Sequence, residues 1–486
     1  MKKQLLFGIA LACSAFLTNI MAVTPLVDPA VYTPRGATGE MTLTSKWLYS
    51  NVLNNYNVAA DLLGATGTVR GMAVKDGKML FVDRGNKKII VVNGTTGAKE
   101  TPITLASNLF TYLGRNKANT ADSTWAAGLW GYQDIKIDNA GNVLLGNIIT
   151  SPAGRYQIWK VNLTTGAGTL VIDQANLATL FPLAKADTRF DAFGVWGDVN
   201  GSAVILAASA SLTSMEVYKW VITGGVAAAP ILIELDNITA GTYLTGLAYP
   251  GSAPQVFPLD NNYFYLDGNA TFPTLMDKEG NVIDGFYNKP SALKDSVTAP
   301  AATPKKIWTM NQGHNGVVEF EVAGKYFLLM AASNTGGAPA STFRLFKFAD
   351  VSKTFTGLDC LWTFPQAGMG AQSNTYRTGM PYVEVSGTKA KIYVYTGENG
   401  YGMYELNTIA TGLSKTELSD VSISLYNGQI VVSEEVSLVE VYNVNGQKMA
   451  STKNVSTIAA PTSKGVYIVT LVDRYGAKKI QKVAVN

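Results

Sequence analysis

Six times between residues 71 and 394 the chain repeats one short pattern, an apolar stretch, a tight turn and a second apolar stretch. The copies span residues 71–82, 133–145, 195–206, 256–265, 318–328 and 382–394, with turn residues at 77, 141, 201, 261, 324 and 387. The resulting intervals of 64, 60, 60, 63 and 63 residues are those of a repeat architecture. Tip pairs such as Asp76-Gly77, Asn200-Gly201 and Ala323-Gly324 supply the positive φ that a hairpin turn requires, so each copy reads as a β-hairpin. A second hairpin follows in most copies. Residues 89–98, with Asn93-Gly94-Thr95-Thr96-Gly97, are echoed at 158–167 by Asn162-Leu163-Thr164-Thr165-Gly166, and more loosely at 217–224 and 274–282.

Four antiparallel strands per unit, repeated radially, are the signature of a β-propeller, and six repeats imply six blades. A seventh blade and a pair of β-sandwiches are the competing counts. The sixth repeat is one strand short, because residues 401–406 run straight into a different pattern. Residues 43–49 precede the first repeat and resemble the outer strand at 358–364. They are expected to pair into the last blade and close the ring, covering an exposed edge and joining the two ends of the domain.

Composition agrees with an extracellular all-β chain. Charged residues are 15% against a usual value of about 25%, while 47 glycines and 47% apolar residues argue against long helices laced with ion pairs. Residues 1–22 read as a secretory signal, with Lys2 and Lys3 before an apolar stretch from 5 to 17. A lipoprotein leader ending at Cys13 is the alternative, and it would leave apolar Ala15-Phe16-Leu17 on the mature chain. No transmembrane segment is expected, because no other uncharged apolar stretch reaches about 18 residues. The formal net charge is +4, two units of it from Lys2 and Lys3, and no basic cluster exists, which argues against nucleic-acid partners. His314 is the single histidine, and Cys13 and Cys360 are the two cysteines, so zinc clusters, Cys–His dyads and disulfide frameworks are excluded.

From about Lys415 the pattern changes to short strands at 421–425, 429–432, 438–442 and 465–471. Three segments here, residues 439–448 with Asn445-Gly446, residues 465–471, and the closing residues 478–485, resemble in order the type IX secretion C-terminal sorting domain, or Por sorting domain. The resemblance implies an immunoglobulin-like β-sandwich read by the outer-membrane type IX export machinery, with the cargo passing through the periplasm to be secreted or held at the outer cell surface. The organisation expected is therefore a signal at 1–22, a six-bladed β-propeller at 23–412, and a small sorting β-sandwich at 415–486. The propeller portion loosely resembles secreted six-bladed domains of unknown function, a likeness that transfers no site residues.

In such a propeller the tight tips share one face, while the connections between blades and the longer loops share the other. Long loops on a rigid scaffold are where function is placed. The expected ligand-binding residues are Tyr112, Arg115, Trp125, Arg155, Trp308, His314 and Arg377, since aromatic faces and arginine forks suit sugars or protein partners. Trp130 and Trp196, at repeat-equivalent places, read as packing between blades. Carboxylates stand at Asp83, Asp134, Asp191, Asp267 and Glu398, and calcium is the one cofactor that oxygen-rich loops would suit. No metal-site spacing, phosphate cradle or nucleophile elbow is present. The sequence therefore favours a non-catalytic module binding a glycan or a surface protein, the alternative being a carboxylate- or calcium-dependent lactonase, lyase or glycoside hydrolase. Convergence of acidic side chains on the long-loop face is the feature that would separate them.

Overall fold

The computed structural model describes residues 25–36, 39–56, 69–110, 131–180, 188–210, 215–235, 253–268, 271–285, 316–332, 341–371, 379–408, 421–472 and 478–485. These are almost wholly β, with one short helix at Leu177–Leu180. Six antiparallel sheets follow one another in chain order. Sheet one comprises Val69–Lys75, Lys78–Asp83, Lys88–Asn93 and Ile103–Thr104, and sheet two Asp134–Ile137, Val143–Gly146, Tyr156–Val161 and Gly168–Gln174. In sheet three, Gly194–Gly197, Ser202–Ala210 and Met215–Thr223 are followed by two short strands, Val226–Ala227 and Ile231–Glu234, that share the edge of Met215–Thr223. Sheet four holds Gln255–Pro258, Tyr263–Gly268, Thr271–Asp277 and Val282–Gly285, and sheet five Val317–Val322, Lys325–Ala332, Thr342–Lys347 and Asp359–Phe364. Sheet six is built from Gly379–Ser386, Lys389–Thr396 and Gly400–Thr408, and Met41–Ser50 pairs antiparallel with the last of these as its fourth strand.

The apolar runs are continuous because these sheets bury both faces. Successive residues of each second strand point into different cores: Leu80 packs toward sheet two and Phe81 toward sheet six, Leu145 toward sheet one and Leu144 toward sheet three. Val204 and Ile205, Phe264 and Tyr265, and Leu328 and Leu329 divide in the same way. Each sheet thus packs on the next, and the sixth packs on the first through Trp47, Tyr395 and Met403 against Met72, Phe81 and Val92. Burying a side chain of this size from both sides is worth roughly 1.5–3 kcal/mol each, so the six interfaces carry most of the stability. Trp196 is an exception to expectation. It is only half-buried, and Trp47, Trp220 and Trp362 supply the large core indoles instead.

The hairpin tips at one end of the ring are tied to one another. Glu384 of sheet six accepts from Gly77 N of sheet one at 3.0 Å, and Lys75 of sheet one donates to the carbonyl of Gly141 in sheet two. Asp138 accepts from Ala140 N and Asn142 N of its own turn and from Val199 N of sheet three. Asn139 receives Gly197 N at 2.7 Å, and Lys219 donates to the carbonyl of Asn261 in sheet four at 2.7 Å.

The C-terminal residues form their own sheet in the order Ile423–Tyr426, Gln429–Asn443, Gly465–Val472, Lys478–Val485, with Lys448–Ala459 also paired to Gln429–Asn443. Two strands expected at 429–432 and 438–442 are one long strand whose register breaks between Val431 and Val436. Lys448–Ala459 escaped notice in the sequence because it is polar and mostly exposed. Ile430, Val439, Leu471 and Val483 share one apolar cluster on this sheet.

Candidate functional site

At the end of the ring opposite the tips, the ends of inner strands carry buried charge. Register in sheet one shifts between Val69 and Met72, a β-bulge that re-aims Arg70. The next residue must be glycine, since a Cβ at Gly71 would lie 2.6 Å from Asp134 Oδ1. Arg70 is 8% exposed, and its Nη1 stands 3.9 Å from Asp191 Oδ1, on the connection that enters sheet three. Arg189 grips the same Asp191 with Nε and Nη2, both at 2.6 Å. From sheet six comes Glu398, in the turn after Lys389–Thr396, held at φ +64° with its carbonyl accepting from Asn51 Nδ2 at 2.8 Å. Such a backbone is costly for a residue with a Cβ and is kept where the surroundings fix it. Tyr395 binds this turn to sheet one by donating to the Val69 carbonyl at 3.1 Å.

Electrostatics at this end are unbalanced. Burial pushes the Glu398 carboxyl above its ordinary range, with Arg70 pulling it partly back, and Glu398 Oε1 is enclosed without a hydrogen-bond partner among the described residues. Asp134, 2% exposed, is likewise pushed up by burial although Lys136 Nζ lies 2.9 Å away, and it accepts from Ile135 N and Phe193 N. Arg70, Asp134, Asp191 and Glu398 thus bring groups from sheets one, two and six and from the entry to sheet three to one end of the ring. Two other carboxylates are structural: Asp83 accepts from Gly85 N and Asn86 N in its own turn, and Asp267, fully buried and pushed well up by burial, joins Gly268 N to Gly316 N at the start of sheet five. No group of three His, Cys, Asp or Glu able to hold a metal ion occurs among the described residues.

Of the residues expected to bind ligand, Arg155 alone is described. It stands at the same end of sheet two, partly exposed, with a two-pronged ion pair to Asp173 that holds the Asp173 carboxyl below its ordinary range. Tyr112, Arg115, Trp125, Trp308, His314 and Arg377, with Trp130, lie outside the described residues. The sequence reading did not single out Arg70. Its signal is an arginine entering an otherwise apolar inner strand just before a glycine.

Residues 84–248 match a family described as Domain of unknown function (DUF8500). No curated protein matches the chain. Among solved structures, a DUF4623 family protein from Bacteroides eggerthii is similar at 12% identity and a TM-score of 0.50, covering 78% of this chain and 77% of that one. An endo-arabinase from Bacteroides thetaiotaomicron aligns at 10% identity and TM-score 0.33 over 72% of this chain and 95% of its own. The PQQ-bound aldose sugar dehydrogenase of Streptomyces coelicolor aligns at 12% and 0.36 over 76% and 98%. At these identities the first likeness speaks to the fold, an all-β propeller-like arrangement of four-stranded sheets. No helix among the described residues is long and apolar enough to cross a membrane.

Proposed function

We propose that the six sheets are the blades of a six-bladed β-propeller, that the C-terminal sheet is an immunoglobulin-like sorting domain addressed to the type IX export machinery, and that the propeller binds a glycan at its loop end. The observation that carries the binding role is Glu398: a carboxylate oxygen enclosed without a partner among the described residues, on a strained turn, near Arg70, which itself faces Asp191. An enclosed carboxylate oxygen beside a guanidinium is suited to the hydroxyl groups of a sugar, which donate to one and accept from the other. A glycan array probed with and without calcium identifies the ligand class. Titration calorimetry with Glu398→Gln and Arg70→Gln then tests the site, with each expected to weaken binding at least tenfold while the variant stays folded at the titration temperature. Unaltered affinity in both variants places the ligand elsewhere.

The Glu398 carboxyl, raised by burial, also favours a second reading, proton transfer to a bound glycan by Glu398 acting as general acid. Turnover of the bound glycan by the wild type, lost in Glu398→Gln, would establish it. For export, removal of residues 415–486 should retain a folded protein in the periplasm of a host that has the type IX machinery.

A further inference from the structure

In sheet five, which adjoins the sheet that carries Glu398, stands a second buried arginine. Arg344 is the third residue of strand Thr342–Lys347, close to the loop end, and pairs across the sheet with Met330 on one side and Thr363 on the other. Its strand neighbours Phe343 and Leu345 pack toward sheet six, so Arg344 points with Phe346 and Met330 toward sheet four. The residue is only 6% exposed, and its Nε and Nη1 are enclosed with no hydrogen-bond partner among the described residues. Desolvation by its surroundings lowers the guanidinium's affinity for its proton, and Cys360 offsets this in part.

A buried guanidinium without an acceptor is costly, by several kcal/mol in general. Folded proteins tolerate such a group when something outside the chain completes it. Nε lies on one edge of the guanidinium and Nη1 on the other, each beside Nη2, and such an edge is the geometry that takes two oxygens of a carboxylate, sulfate or phosphate group. We propose that Arg344 is an oxyanion-binding site between sheets four and five, separate from the Glu398 cluster. The oxyanion is either the acid group of an acidic sugar or a free inorganic anion, and the fork serves both. The site stands whether or not the loop end binds a neutral glycan.

Melting curves of the full chain at fixed ionic strength, in chloride, in sulfate and in glucuronate, test it. The wild type should melt about 2 °C or more higher in at least one oxyanion than in chloride, because a ligand that binds only the folded state stabilises it. Arg344→Met should lose that response while melting at or above the wild type in chloride, since its orphan charge is gone. Arg344→Lys, which keeps the charge without the fork, should retain less than half the response. A response to glucuronate alone assigns the site to an acidic sugar, and one to sulfate as well assigns it to free oxyanions. No response in the wild type, or an equal one in Arg344→Met, overturns the proposal.

Discussion

The two ends of the ring solve the same problem, what to do with polar groups where strands stop, in opposite ways. At the tip end charged side chains reach backbone partners: Asp138 serves three amides from two sheets, and Lys75, Lys219 and Glu384 each reach the next sheet. At the loop end Glu398 and Arg344 keep enclosed atoms without partners among the described residues, and Glu398 sits on a strained backbone. Polar groups that satisfy one another add rigidity, whereas those left open cost stability and are retained where a ligand uses them. The tips therefore hold the scaffold, and the loop end is where the proposed binding site lies.

Substitutions at the two ends should separate stability from binding. Trp47→Ala is expected to have the largest effect. Trp47 is 3% exposed, donates to the Gly94 carbonyl at 2.9 Å and packs on the tip turn at Gly97, so its loss should cost about 3–5 kcal/mol in denaturant unfolding. Asp138→Ala leaves three amides at the tips without their acceptor and should cost about 1–3 kcal/mol, with glycan affinity unchanged. A tip variant that loses binding at full stability would break the division.

At the loop end, Glu398→Gln should act through pH. Because burial raises this carboxyl in the folded state, its contribution to stability is greatest below the ordinary value of about 4.3 and is lost as pH rises through the raised value. The variant should flatten that decline, which denaturation midpoints from pH 4 to 8 would read. Asp134 and Asp267 shift in the same direction, so the difference between wild type and variant is the quantity to compare. Arg189→Ala should have the smallest effect on stability, within about 1 kcal/mol, since half of the Arg189 side chain is in solvent. Its effect on binding, if larger than on melting, marks the site's rim.

Much of this was legible in the chain. The hairpin tips betray themselves because Gly77, Gly141, Gly324 and Gly387 take positive φ, which selects glycine at fixed intervals. Residues 43–49 share a pattern with 358–364, and the two lie in outer strands of adjoining sheets. The carboxylates Asp134, Asp191 and Glu398 were visible as residue types, but their convergence depends on which strand ends meet. Arg70 was hidden because a bulge, which no periodicity encodes, decides where it points. Trp196, expected between blades, is only half-buried, because the repeat pattern reports that a strand is present and not how deep each of its side chains lies.

The pairing of Met41–Ser50 with Gly400–Thr408 also dictates the timing of biogenesis. The first strand of the ring to be made is the last to find its neighbour, because Met41 meets Thr408 only after all the intervening chain exists. At ordinary synthesis rates that wait is on the order of tens of seconds, during which Met41, Leu43 and Leu48 have no sheet to cover them. A nascent chain interrupted anywhere before residue 400 keeps both rims of the ring open and its apolar edges available to strangers, so quality control can distinguish finished molecules from unfinished ones by this single strand.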